Sequence, residues 1–230
     1  MGRPTRLGLA ILAALLVVCG AYTIFWFVVA GQIKSGVAAW AQSAQGNKVE
    51  VSWKEMSVTG FPGAFRVRLD RAALRDNRLS PPPQLRIPLL SGTARPWDFA
   101  DWRIAAADGF SAALGGINER PPVKLTARTA DGVVSLVPEG GWKLWLSLYD
   151  ASLEAAERVH VSSADAWIVV PPGPAGSSSS YGEPTVTLSS NLRQVRLPAA
   201  VGPLGDTVED LDFGITVRGA LPTGKLAQAA

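Results

Sequence analysis

The sequence predicts a mainly β protein in which an N-terminal transmembrane helix is followed by a predominantly antiparallel, curved sheet, arranged as a β-groove or a sandwich. Three observations predict it. Leu7 to Ala30 reads LGLAILAALLVVCGAYTIFWFVVA, 24 residues without a charged side chain. From Lys48 onward the hydrophobic period changes to two, the period of a strand with one buried face. Turn-forming breaks such as Gly60-Phe61-Pro62-Gly63, Pro81-Pro82-Pro83 and Gly140-Gly141 punctuate those alternating runs.

At about 1.5 Å per residue the apolar run reaches about 36 Å as a helix, enough for a bilayer core of about 30 Å with some tilt. Leu7, Leu15, Val18, Phe25 and Phe27 are its representative anchor residues. Arg3 and Arg6 precede the run and the first cation after it is Lys34, so the positive-inside rule puts Met1 in the cytoplasm and residues 31–230 outside. The expected place is therefore a single-span inner-membrane protein with a periplasmic bulk. Two processing alternatives stay open. Val28-Val29-Ala30 or Ala39-Trp40-Ala41 offers a small-x-small signal-peptidase site, against which the length of the run argues. Leu16-Val17-Val18-Cys19-Gly20 resembles a lipidation box, against which bulky Val18 and the apolar residues after Gly20 argue.

Composition narrows the function classes. About 200 residues beyond the anchor are enough to bury a core. The pI of 9.2 does not signal nucleic-acid binding, because setting Arg3 and Arg6 aside leaves 20 Lys and Arg against 19 Asp and Glu. Cys19 is the sole cysteine, so stability rests on packing rather than on an internal disulfide. With His160 as the sole histidine, most zinc sites are excluded and no cofactor is expected.

Taken in order, residues 1–30 form a cytoplasmic tip and anchor, and 31–46 a helical stalk. In the stalk Ile33, Val37 and Trp40 repeat at helical spacing, with Trp40 expected on the β portion and Gly46-Asn47 as the stop. An interfacial amphipathic helix is the competing reading; the single cation Lys34 speaks against it. Residues 47–170 form the main β portion. Val49, Val51 and Trp53, then Met56 and Val58 after a phase slip at Lys54-Glu55, suggest one bulged strand. Phe65, Val67 and Leu69 alternate with Arg66, Arg68 and Asp70 as its hairpin partner. Leu85, Ile87 and Leu89 make a third strand that Pro88 marks as an edge or a short piece.

Arg95-Pro96-Trp97-Asp98-Phe99-Ala100-Asp101-Trp102-Arg103 is the densest aromatic and charged cluster. Trp97, Phe99 and Trp102 either stack on a ligand or cap one end of the core while the charges pair at the rim. Together with Phe61 and Val67 they are the candidate ligand or partner surface. Further on, Asp131-Gly132 reads as a hairpin turn between Leu125 to Thr129 and Val133 to Val137. Trp142, Leu144, Leu146 and Leu148 share one face, with Lys143, Trp145 and Ser147 on the other. Ala151 to Arg158 is compatible with a short helix, after which Val159 to Val170 returns to strand composition. Pro171 to Pro184 is a Pro/Gly/Ser-rich loop, and residues 185–230 form a second β unit in which Leu211, Phe213, Ile215 and Val217 alternate. Acidic Asp206 to Asp212 contrasts with Arg66 to Arg103, where eight Arg face four Asp; steering of a charged partner and plain solvated strand faces both produce such a contrast.

The order of anchor, Val49-x-Val51-x-Trp53, Gly60-Phe61-Pro62, Phe65-x-Val67-x-Leu69, the Arg95-Pro96-Trp97 cluster and Gly219-x-Leu221-Pro222 resembles a proteobacterial family of membrane-anchored periplasmic proteins, domain of unknown function 2125. The resemblance implies no catalytic residue. Because members of that family continue with more strands, it implies a shortened member. A distant similarity to AsmA-like envelope proteins, which hold lipid in an apolar groove, implies lipid binding.

No phosphate loop or nucleophile elbow is present, and Ser177 to Ser180 have nothing nearby to orient them. His160 in Arg158-Val159-His160-Val161 reads as a strand residue on a polar face. The expectation is thus an inner-membrane-anchored periplasmic β protein that binds lipid or another hydrophobic ligand. The alternatives are a non-catalytic scaffold for other envelope proteins and a carboxylate-dependent hydrolase.

Overall fold

The computed structural model describes residues 3–114, 123–137, 141–155, 157–170, 184–197 and 205–218. One helix, α1 (Arg3–Gly46), runs unbroken through the anchor and the stalk and stops where expected. It is long and apolar enough to cross a membrane. Eleven strands follow: β1 (Val49–Ser52), β2 (Glu55–Thr59), β3 (Phe65–Asp76), β4 (Gln84–Arg95), β5 (Asp98–Ala106), β6 (Phe110–Leu114), β7 (Val123–Leu136), β8 (Trp142–Glu154), β9 (Arg158–Val170), β10 (Pro184–Arg196) and β11 (Thr207–Arg218). All pair antiparallel in one sheet, in the order β1-β3-β4-β5-β7-β8-β9-β10-β11. β2 extends alongside β3, and β6 lies between β4 and β7 below the end of β5. The strands that flank the Pro/Gly/Ser-rich segment, β9 and β10, are neighbours; that segment itself lies outside the described residues except for Pro184.

Residues opposite each other in neighbouring strands share a face, as do residues two apart on one strand. Applied across this register, the sequence pattern sorts the sheet into two chemistries. Trp102, Val134, Leu144, Ile168, Leu188 and Ile215 form one cross-strand row. Ala106, Ala130, Leu148, Ala164, Leu192 and Leu211 form another on the same face. On the opposite face the row Asp131, Ser147, Asp165, Asn191 and Asp212 is polar throughout. Ser147 donates to the Asp165 carboxylate and Asn191 to Asp212 at 2.7 Å, so this row satisfies itself.

The long strands do not run straight. Arg71, Asp150 and Gln194 have φ of 52°, 54° and 50°, and each falls at a position skipped by the ladder pairing. Arg71 lies opposite Pro88, Asp150 opposite Arg128, and Gln194 opposite Glu209; β5 gives way to β6 at the same level. A single line of left-handed residues therefore crosses the sheet, and the pleat slips by one position along it. Ala127 and Ala130, or Val161 and Ala164, consequently lie on one side, and all four are buried. Apolar residues from both halves then pack together: Leu148 and Leu192 from above the line, and Val159, Leu197 and Val208 from below, close on Val161, Ala164 and Val195. The core is the inside of a bend, formed without a second sheet among the described residues.

Helix α1 covers one flank of the apolar face. Its docked stripe is Trp26, Ala30, Ile33, Val37 and Ala41, at spacings of four and three. Trp26 is 3% exposed, stacks on fully buried Phe65 with ring centroids 5.0 Å apart, and donates its Nε1–H to the Ala64 carbonyl at 3.2 Å. Val58 and Phe99 pack against the same cluster.

Several elements differ from their sequence-based expectation for physical reasons. Residues 49–59 are two strands rather than one bulged strand, since Lys54 donates to the Asp70 carbonyl and β1 and β2 pair with different stretches of β3. Trp40 is 55% exposed, and Ala41 takes the docking position one residue on. β4 is a 12-residue interior strand despite Pro88, because that residue sits on the bend line between the stretches paired with β6 and β5 and needs no ladder donor. Asp131 and Gly132 lie in the middle of β7 rather than in a turn. There Gly132 permits a close backbone approach, since a Cβ on it would lie 2.3 Å from the Trp145 carbonyl oxygen. Residues 151–154 end β8 and Arg158 begins β9, so strand pairing overrides their helical composition.

Three outcomes follow from this architecture. Trp26→Ala is expected to destabilise the β portion by about 3–5 kcal/mol, the usual cost of truncating a buried indole, while exposed Trp40→Ala stays within about 0.5 kcal/mol. Denaturant unfolding of the full chain in detergent micelles measures both. Gly132→Ala is expected to cost about 1–3 kcal/mol, because backbone must move, whereas Gly92→Ala, with the nearest Trp102 ring atom at 3.5 Å, should be tolerated. Finally, the Asp76 carboxylate accepts from the Arg78 guanidinium and backbone, which lowers its pKa from 3.8 to about 2. A depressed carboxylate stabilises the fold above its unfolded pKa and loses that contribution as pH falls from about 4 toward about 2. Carbon-detected NMR titration should show the Asp76 midpoint rising toward the ordinary carboxylate range in Arg78→Ala, with the backbone donor at position 78 keeping part of the depression.

Candidate functional site

The candidate site is the apolar face of the sheet. Its central strands β7, β8 and β9 present Leu, Val, Ile and Ala inward of the bend, and Ala106, Ala130 and Ala164 keep the floor low where bulky side chains would fill it. Beyond the flank roofed by α1 the face opens. On the terminal strand β11, Leu211, Phe213 and Ile215 are 43%, 43% and 53% exposed. Among the described residues the result is a trough with a helix along one wall and an uncovered apolar surface along the other. Such a surface is costly in water and suits an extended hydrocarbon chain.

The sequence-derived candidates distribute unevenly over this surface. Phe61 lies in the β2–β3 turn, edge-on to Trp26 with centroids 5.6 Å apart. Phe99 packs on Phe65 at 5.4 Å, brought there by a register shift between Thr93 and Arg95. Val67 is buried beside them on the apolar face, and Trp102 is half-buried over Gly92. Trp97 stands apart at the tip of the β4–β5 turn, 72% exposed. Thus Phe61 and Phe99 gather round Trp26, Trp102 lines the trough, and Trp97 does neither. Of the anchor residues, Leu15, Val18, Phe25 and Phe27 are exposed on α1, and the Leu7 side chain lies outside the described residues. Sequence reasoning missed Trp26 as a docking residue and the alanine row as the floor; the helical spacing from Trp26 through Ala30 to Ile33 was the available signal.

Two polar features mark the sheet. Where β5 gives way to β6, an open cleft of about 470 Å³ is lined by Arg71, Arg86, Ile87, Pro88, Asp108 and Phe110. Two guanidinium groups suit an anion, and Arg86 shares the cross-strand row of Ser111, Thr126, Ser152 and His160, on the face opposite the trough. On the far side of the sheet His160 lies between Asp150, at 3.3 Å from Nε2, and Ser152, at 3.3 Å from Nδ1. The Arg128 Nε is 3.1 Å from the same Asp150 carboxylate. This grouping places a base beside a hydroxyl, and β8 is paired on both sides, which commits its neighbouring strand N–H groups to the ladder. Among the described residues no group of His, Cys, Asp and Glu is arranged to hold a metal ion.

Comparison with known proteins gives a family and nothing finer. No curated protein and no solved structure matches the chain. Residues 26–230, which hold the docked part of α1 and every strand, match the family described as uncharacterized protein conserved in bacteria (DUF2125), and the chain belongs to that family.

Proposed function

We propose that this chain is an inner-membrane-anchored, periplasmic, non-catalytic β protein that holds the acyl chains of a lipid in its trough as part of envelope maintenance. The observation that carries this reading is the one-sided apolar sheet, whose bend hides the middle strands while β11 keeps Leu211, Phe213 and Ile215 uncovered. Arg3 and Arg6 ahead of the apolar run support the orientation.

A scaffold reading has one observation in its favour. Trp145 and Trp167 face each other across β8 and β9 on the polar side and are 36% and 43% exposed, which is an aromatic patch of the kind that protein interfaces use.

A photo-reactive benzoylphenylalanine at Ile215 or at Trp145 separates the two readings, since these positions lie on opposite faces of the same sheet. In intact cells the Ile215 probe is expected to yield phospholipid adducts and the Trp145 probe none. Protein adducts at Trp145 with no lipid at Ile215 would replace the lipid reading by the scaffold.

A further inference from the structure

The apolar run and the docked stripe of α1 overlap, and the overlap fixes how deep the sheet sits. Leu7 to Ala21 covers 15 residues, about 22 Å of helix, which falls short of a hydrocarbon core of about 30 Å. The remaining depth has to come from the next turns, and those turns are already bound to the sheet: Tyr22 donates to the Pro62 carbonyl, and Trp26 is stacked on Phe65. Around the docked stripe of α1, Ile24, Phe25, Phe27 and Val28 are 46–68% exposed. An apolar collar of this kind at the level of Trp26 belongs in lipid.

The sheet carries its own apolar fringe at the same end. Phe61 contacts both Trp26 and Phe27, with the Phe27 ring centroid 6.0 Å away, and is 46% exposed. Trp97 lies in the turn just beyond the Phe65–Ala94 pair, and Leu136 and Trp142, 55% and 37% exposed, end β7 and begin β8. By register Leu136 and Trp142 lie on the apolar face, so they stand at the mouth of the trough. Arg95 and Asp98 flank Trp97, the pairing of indole and charge that suits the headgroup layer. At the opposite end, β1 pairs with Ala73 to Asp76 beside the last turns of α1, well away from the anchor.

We infer that this edge of the sheet is immersed in the adjoining leaflet, with Phe61 at acyl depth and Trp97 among the headgroups. The trough then opens into the bilayer rather than into water, and a phospholipid enters it sideways without leaving the membrane. The immersion follows from the anchor geometry alone; the lateral entry rests on the lipid-holding reading above.

The test uses the full chain with Cys19→Ser, in vesicles of phosphatidylethanolamine and phosphatidylglycerol, carrying one nitroxide label at Phe61→Cys, Trp97→Cys or Leu79→Cys. Leu79 serves as the control because it is 61% exposed in the turn at the far end of the sheet. Collision rates with oxygen and with a water-soluble nickel chelate report depth. The ratio of oxygen to nickel collisions is expected to be several-fold higher at 61 than at 79, with 97 between them. Values at 61 and 97 equal to that at 79 would overturn the immersion, and the exposed position 97 keeps the result readable should the label at 61 disturb the fold. Immersion without lipid adducts at Ile215 would remove the lateral-entry claim and leave the immersed edge standing.

Discussion

A wide sheet with one apolar face has to keep that face from water, and in this chain no second sheet covers it among the described residues. A flat eleven-stranded sheet would leave rows such as Trp102, Val134, Leu144, Ile168, Leu188 and Ile215 bare. The left-handed residues Arg71, Asp150 and Gln194 resolve part of the difficulty by breaking the pleat along one line, so the two halves close on each other around Val161, Ala164 and Val195. Backbone strain at those three positions is offset by the burial it makes possible. The other part is left to α1, which roofs the β1–β3 flank through the Trp26–Phe65 stack. Among the described residues nothing else covers the remaining face, and in the proposed reading lipid from the adjoining membrane does.

The same constraint links structure to location. A trough floor of alanines and a wall of leucines and isoleucines offers no directional chemistry, so any selectivity in the proposed reading has to come from its ends. One end carries the fringe of Phe61 and Trp97. On the polar face, pairs such as Ser147 with Asp165 satisfy one another, which keeps the sheet in one register.

The fold was readable wherever alternation was undisturbed. Phe65, Val67 and Leu69, Leu144 to Leu148, and Leu211 to Ile215 all reported strands and the correct inner face. Reading failed where one residue type serves two physical purposes. Gly132 looks like a turn glycine but is needed for close approach to Trp145, and Pro88 looks like an edge marker but occupies the bend line. The alternation also slips at that line, so Leu192 and Val195 look like parts of different patterns although both face the core. Of the site, Trp102 and Phe61 were legible as aromatics with a purpose. Trp26 was not, because an apolar residue docked on protein and one facing lipid look alike within a run such as Leu7 to Ala30.

The central claim is that the open apolar face is filled by lipid. Native mass spectrometry of the full chain released from detergent micelles measures this most directly, because loosely attached annular lipid is lost at collision energies that leave an enclosed lipid in place. The account predicts retained adducts of phospholipid mass on the intact chain, diminished when Phe213→Asp places a charge on the open face. A bare polypeptide mass under the conditions that strip annular lipid would contradict it.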